Sequence, residues 1–308
     1  MKEIDLSTLT GAYSENTLRA YKADFTAYMD WCDLKGYSCL PSNAETVTLY
    51  IEDNTHTFSP ATIRRKISSI GRIHRLKGHN DPTKKEIVFL ALRRLHRQKG
   101  RRQNQAHPLT AEIRDKIINS IKPNLKGLRD CILLTLSYDT LRRRSEVVCL
   151  RIEDIQRVQQ GGATILIRRS KTDQEGSGKF AYISPRTLCF IDEWLKRTKL
   201  TEGPILRRIH RHNTMGKPMS SDSIPRIIKA LAKQANLPQE IVNGLSGHSP
   251  RVGAAQDMAA AGIDIGSIMQ AGGWKSPEIV ARYIENLDVL RSGSFRLAQI
   301  QQNLVQYD

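Results

Sequence analysis

The sequence predicts a mainly α-helical protein of two domains, with a small antiparallel β-sheet in the second. Three observations carry that expectation. The chain has 308 residues, which is long for one compact core and enough for two domains that each bury sufficient apolar surface to fold. Nearly every segment before residue 160 repeats its apolar residues at helical spacing. Between 162 and 184 the pattern changes to two short runs of branched and aromatic residues, Ala163-Thr164-Ile165-Leu166-Ile167 and Phe180-Ala181-Tyr182-Ile183, separated by Gln174-Glu175-Gly176-Ser177-Gly178.

Taken in order, Ser14 is a good N-cap, and Leu18, Tyr21, Phe25 and Tyr28 behind it form one apolar stripe that ends near Trp31, with Gly36 as the stop. Ser42 is positioned to cap a second helix whose buried side is Val47, Leu49, Tyr50 and Ile51. Ser59 as cap, Pro60 at the first helical position and Ile63, Ile67, Ile70 and Ile73 on one side mark a third. From Arg97 to Pro108 no apolar period is present, so a linker is placed at 101–109, between an N-terminal helical domain (1–100) and a C-terminal domain (110–308). Helix resumes behind the cap Thr110, through Ile113, Ile117 and Ile118. A last short helix, 292–304, carries Phe295, Leu297, Ile300 and Leu304 behind the hinge Gly293-Ser294.

The formal net charge is +17, and a positive field of that size draws polyanions. Fourteen Lys or Arg against two acids between 59 and 102 account for +12 of it. The face of the third helix opposite its isoleucines holds Arg64, Arg65, Ser69 and Arg72, and a folded surface of one sign suits a groove of phosphates better than it suits water. Double-stranded DNA is therefore the expected partner. No run of eighteen apolar residues and no secretory signal is present, so no membrane association is expected, and the protein is expected to be cytoplasmic. The five cysteines are scattered and none forms a CxxC pair, which argues against a disulfide framework or a zinc site.

Three stretches hold the residues suited to chemistry. Tyr138-Asp139-Thr140-Leu141-Arg142-Arg143-Arg144-Ser145-Glu146 places three consecutive arginines at a helix start, whereas surface helices mix their charges. Leu245-Ser246-Gly247-His248-Ser249-Pro250-Arg251-Val252-Gly253-Ala254-Ala255 is followed by Gln270-Ala271-Gly272-Gly273-Trp274 and by Tyr283-Ile284-Glu285-Asn286-Leu287-Asp288. Singly, a His is more often a structural residue than a catalyst and a Tyr more often core. The ordered set His, Arg three later, then Trp, then Tyr resembles the catalytic domain of the Cre-like tyrosine recombinases. The likeness is close from 245 to 288 and loose before 130.

That resemblance implies a two-domain, C-shaped clamp around DNA and a site-specific recombinase that cleaves and rejoins strands through a 3′-phosphotyrosine intermediate and a Holliday junction, at short sites with inverted half-sites. Tyr283 is then the nucleophile. The family's arginine stands three residues before a glutamate, which selects Arg143 with Glu146 one turn on. Lys171, in the hairpin loop, would protonate the leaving 5′ oxygen, with Lys179 as the fallback. Spontaneous phosphodiester cleavage is so slow that about 15 to 20 kcal/mol of barrier lowering is needed, while a single preorganised donor supplies roughly 3 to 4. Several groups must therefore converge. Arg143 and Arg251 would grip the non-bridging oxygens, and His248 and Trp274 would donate to them. A phenol, with an ordinary pKa of about 10, must also shed its proton. The sequence leaves the acceptor open, with His248 the leading candidate. No cofactor and no metal are expected, since neither a GxxxxGK[ST] loop nor an HExxH site is present.

The segment from Ser220 to Lys233 stands where the family's major-groove helix lies. Asp222 occupies a position where the resemblance implies a base-reading arginine, so the target sequence must differ, and Arg226 and Lys229 remain to reach a base edge or phosphate, with Arg207 as a backbone grip. The tail helix is expected to dock into a neighbouring subunit of a homotetramer. Two other readings share part of these features: a type IB topoisomerase or telomere resolvase with the same tyrosine chemistry, and a DNA-binding protein that has lost catalysis.

Overall fold

A computed structural model of the chain describes residues 5–100, 105–168, 178–285 and 293–305. The chain divides into two compact units, 1–104 and 105–308. Residues 105–109, expected as linker, belong to the second unit: His107 N–H donates to Gly244 O, Leu109 N–H donates to Ser249 O, both at 2.9 Å, and the Leu109 side chain is fully buried.

The first unit is all helical among its described residues. A 3-10 turn (Ser7–Leu9) precedes α1 (Glu15–Lys35), α2 (Ala44–Asp53), α3 (Pro60–Leu76) and α4 (Glu86–Lys99). Ser14 and Ser59 cap α1 and α3 as expected, and Gly36 ends α1 in the left-handed conformation, at φ 71°. The cap of α2 is Asn43 rather than Ser42. Ser42 instead bonds the Tyr28 hydroxyl through its Oγ, at 2.5 Å, and donates its backbone N–H to Nε2 of the buried His74, at 2.9 Å. The stripe Ile63, Ile67, Ile70 and Ile73 is buried against Phe25, Tyr28, Val47 and Val88.

The second unit opens with α5 (Ala111–Asn119) and α6 (Leu125–Thr140), a helix apolar on most sides that runs through the core. A four-residue helix, α7 (Arg144–Val147), leads into β1 (Ile155–Arg157), β2 (Ala163–Ile167) and β3 (Lys179–Ile183). Strands β2 and β3 are the expected antiparallel pair, with Ala163 opposite Ile183 and Ile167 opposite Lys179, and β1, which the sequence reading did not anticipate, pairs antiparallel with the other edge of β2. After α8 (Pro185–Thr198), β4 (Arg207–Ile209) and β5 (Met215–Pro218) make a second, two-stranded sheet. The sequence did not announce it, because Arg-Arg-Ile and Met-Gly-Lys-Pro carry no apolar alternation and the pairing is irregular between 207 and 209. Helices α9 (Ile224–Gln234), α10 (Gln239–Gly244), α11 (Ser249–Ala260), α12 (Ile265–Gly272), α13 (Pro277–Ile284) and α14 (Gly293–Val305) complete the unit. Besides the main core, Leu141, Ala254, Ala255, Ile268, Trp274 and Val280 form a smaller cluster, against which Tyr138 and Tyr283 pack. Among the described residues no helix is long and apolar enough to cross a membrane.

Candidate active site

The three arginines point three ways, and a backbone turn sorts them. Helix α6 ends at Leu141, a buried residue held left-handed at φ 49°, a costly conformation for a branched side chain. Arg142, next along, turns inward. Its Nε donates to Thr140 O at 2.7 Å, Nη2 donates to Ala271 O, and burial lowers its pKa. Arg143 occupies the N-cap position of α7, partly exposed, with its own N–H donating to Glu146 Oε2 (3.1 Å) and its Nη1 to Oε1 (2.9 Å). The buried Glu146 thus orients Arg143 one helical turn away. Arg144 turns outward to Asp222, at 3.4 Å.

Helix α11 supplies the next two groups. Pro250 lies in its first turn, where the missing N–H costs nothing. His248 is its N-cap, with its N–H on Ser246 Oγ at 3.1 Å. One turn on, Arg251 is 1% exposed, with Nη1 donating to Leu141 O (2.7 Å) and Nη2 to Gly272 O (2.9 Å). Those bonds leave Nε–H and one N–H on each terminal nitrogen, and Nε has no partner among the described residues. The Arg251 guanidinium also lies over the Trp274 ring, 4.3 Å from its centroid.

Helix α13 brings Tyr283 to the same place. Its hydroxyl lies 2.6 Å from His248 Nε2, and its ring centroid is 5.4 Å from that of Trp274. Burial, then the charges of Arg251 and Arg143, pull the His248 imidazole down to about 4, so it is neutral at pH 7 and shares a hydrogen bond with the phenol through Nε2. Burial and the neighbouring Arg143 lower Arg251 to about 10, which leaves it charged at the same pH. Arg143, Glu146, His248, Arg251, Trp274 and Tyr283 therefore converge within one chain. Lys171, in the β2–β3 loop, lies outside the described residues; Lys179 begins β3.

The expected DNA contacts divide. Arg64 is exposed on α3. Arg65 is half-exposed and pairs with Asp24 of α1 at 2.5 Å, and Arg72 lies over the Tyr13 ring at 5.2 Å. Ser69 is corrected: it is buried and donates to Asp24 Oδ2 at 2.9 Å. The reason is the carboxylate. Asp24 is 2% exposed and needs donors, which Ser69 and Arg65 supply, with the Lys66 ammonium 3.9 Å away. In the second unit Arg226 is exposed in the first turn of α9, Arg207 is half-buried in β4, and Lys229 donates to Asn243 O at 2.9 Å.

Sequence reasoning missed several contributors: the Leu141 and Gly272 carbonyls that hold Arg251, and Gln256 of α11, whose Nε2 donates to the backbone carbonyl of Tyr283 at 2.9 Å. Backbone acceptors leave no side-chain signature. A polar residue inside the small-residue run of α11 was the one legible sign of Gln256.

Comparison with known proteins identifies the family. Residues 107–289 match the phage integrase family. The chain is similar to an integrase/recombinase xerD homolog from Selenomonas ruminantium, at 31% identity over 91% of this chain and 84% of that one. It is also similar to recombinase cre of Escherichia phage P1, at 27% identity over 94% and 89%. Its fold resembles that of lambda integrase in a crystal structure of a tetramer bound to a Holliday junction, with a TM-score of 0.62 at 14% identity over 92% of this chain and 76% of that one. Helical fold and matches together define a tyrosine recombinase, an enzyme of DNA strand exchange. The chain belongs to the phage integrase family.

Proposed function

We propose that the chain cuts and rejoins double-stranded DNA at short specific sites with Tyr283 as nucleophile. The observation that carries this reading is the 2.6 Å approach of the Tyr283 hydroxyl to His248 Nε2 in a pocket that also holds Arg251 and borders Arg143. The phenol oxygen attacks the phosphorus while its proton passes to His248. The phosphorus to 5′ oxygen bond breaks, and Lys171 supplies a proton to the departing oxygen. Arg143 and the unused N–H groups of Arg251 hold the non-bridging oxygens as charge develops on them. Trp274 supports the Arg251 guanidinium, which lies over its ring at 4.3 Å from the centroid. The result is a 3′-phosphotyrosine, one phosphodiester exchanged for another, so rejoining to a second strand needs no ATP.

The lambda integrase relative was seen as a tetramer on a Holliday junction, and the exposed Leu297 and Ile300 on α14 support the same kind of assembly here, with each tail helix docked on a neighbouring subunit. On this reading the enzyme acts in the cytoplasm, and Arg64, Arg72, Arg207, Arg226 and Lys229 contact DNA. A catalytically dead relative is disfavoured because six groups of the expected set meet in one chain. A nicked suicide substrate carrying the native site tests the chemistry: a covalent protein–DNA adduct is expected, and Tyr283→Phe abolishes it while leaving binding intact. An adduct that forms in that variant removes Tyr283 from its role.

A further inference from the structure

Helix α13, which carries the proposed nucleophile, is short and buries few of its side chains. It spans eight residues, and Val280 is its one fully buried side chain. Its last carbonyls have no partners within the helix, as at every helix end. Two of them are taken by side-chain amides from elsewhere in the unit. Gln256 Nε2 donates to Tyr283 O at 2.9 Å, and Gln105 Nε2 donates to Arg282 O.

We infer that Gln256 and Gln105 are positioning residues, an amide clamp on the C-terminal turn of α13 that keeps the Tyr283 hydroxyl at His248. Gln256 is 8% exposed, and a buried amide is retained only where its donors are used. It stands on α11, the helix that also bears Arg251 and is capped by His248. One rigid element thus sets the histidine, the arginine and the backbone of the tyrosine relative to one another. Gln105 stands two residues before His107, whose backbone is bonded to Gly244 at the corner leading into α11. Both anchors therefore refer the nucleophile to the same corner of the unit, in line with the steep dependence of phosphoryl transfer on alignment.

The inference rests on the proposed role of Tyr283, and the test separates the two. Gln256→Met keeps length and volume but cannot donate. Fluorotyrosine is incorporated, and the resonance of residue 283 is assigned by its absence in Tyr283→Phe. In Gln256→Met this resonance is expected to move toward the value of a solvent-exposed tyrosine. Adduct formation on the suicide substrate is expected to slow by about 10- to 100-fold at unchanged DNA affinity. An unmoved fluorine resonance, or an adduct rate within about two-fold of the parent, overturns the inference. A resonance that moves in Gln256→Met, when the unsubstituted enzyme itself forms no adduct, instead sinks the proposed chemistry and leaves the clamp standing. Should Gln256→Met not fold, Gln105→Met at the edge of the site decides by the same measurements.

Discussion

Gly272 and the indole of Trp274 lie so close that a Cβ at position 272 would stand 2.1 Å from a ring carbon. The same glycine offers its carbonyl to Arg251, whose guanidinium is stacked on that indole. Gly272→Ala must therefore push Trp274 off Arg251. Adduct formation is expected to fall by about ten-fold or more, with tryptophan fluorescence reporting the displaced ring. Unchanged kinetics and emission would separate the indole from the arginine's placement.

His248 should titrate near 4 in the DNA-free protein, by NMR of its ring protons, instead of near the usual value of about 6.5. Its folded-state value is depressed, so the unfolded chain binds the proton first as pH falls. The contribution to stability is complete above about pH 6.5 and is lost progressively between about 6.5 and about 4, amounting to on the order of 3 kcal/mol. His248→Gln should flatten that part of the stability profile.

Asp24→Ala should destabilise the first unit by about 3 to 5 kcal/mol, because it leaves the Lys66 ammonium buried without its counter-charge. Burial already lowers the Lys66 pKa even with Asp24 present. Chemical denaturation of the isolated substitution in the full chain reads this directly.

Ser69→Ala should cost about 1 kcal/mol of stability and leave DNA affinity unchanged, since the hydroxyl faces Asp24. Arg64→Ala should do the reverse, weakening binding and reducing the slope of log K against log salt by about 1. A salt slope unmoved by Arg64→Ala would take α3 out of the DNA interface.

Gly253→Ala should destabilise the second unit by about 3 kcal/mol, because the added Cβ would stand 2.0 Å from the carbonyl oxygen of Leu109, a residue whose own N–H is bonded to Ser249 O. A thermal melt suffices to check it.

Much of this was legible before folding. The caps Ser14, Ser59 and Thr110 stand where their side chains suggested, because a cap is a contact over three residues. The isoleucines of α3 face inward for the same local reason. The misplacement of Ser69 has an equally physical cause: helical spacing puts it beside Arg65 and Arg72, but a carboxylate forty-five residues earlier draws it inside. Asn43 displaced Ser42 as a cap because Ser42 was wanted by Tyr28 and His74, partners far along the chain.

By itself the sequence determined the helical character of both units, the hairpin and the excess of positive charge, since composition, periodicity and spacing are properties of neighbours along the chain, while the ordered set of Arg143, His248, Arg251, Trp274 and Tyr283 was legible only through its resemblance to the tyrosine recombinases. Only the tertiary structure decided which of three adjacent arginines is buried, which borders the site and which turns away, and that Tyr283 reaches His248 of its own chain. Those outcomes depend on a left-handed turn at Leu141 and on carbonyls and amides contributed by segments more than twenty residues apart, whose meeting no local pattern encodes.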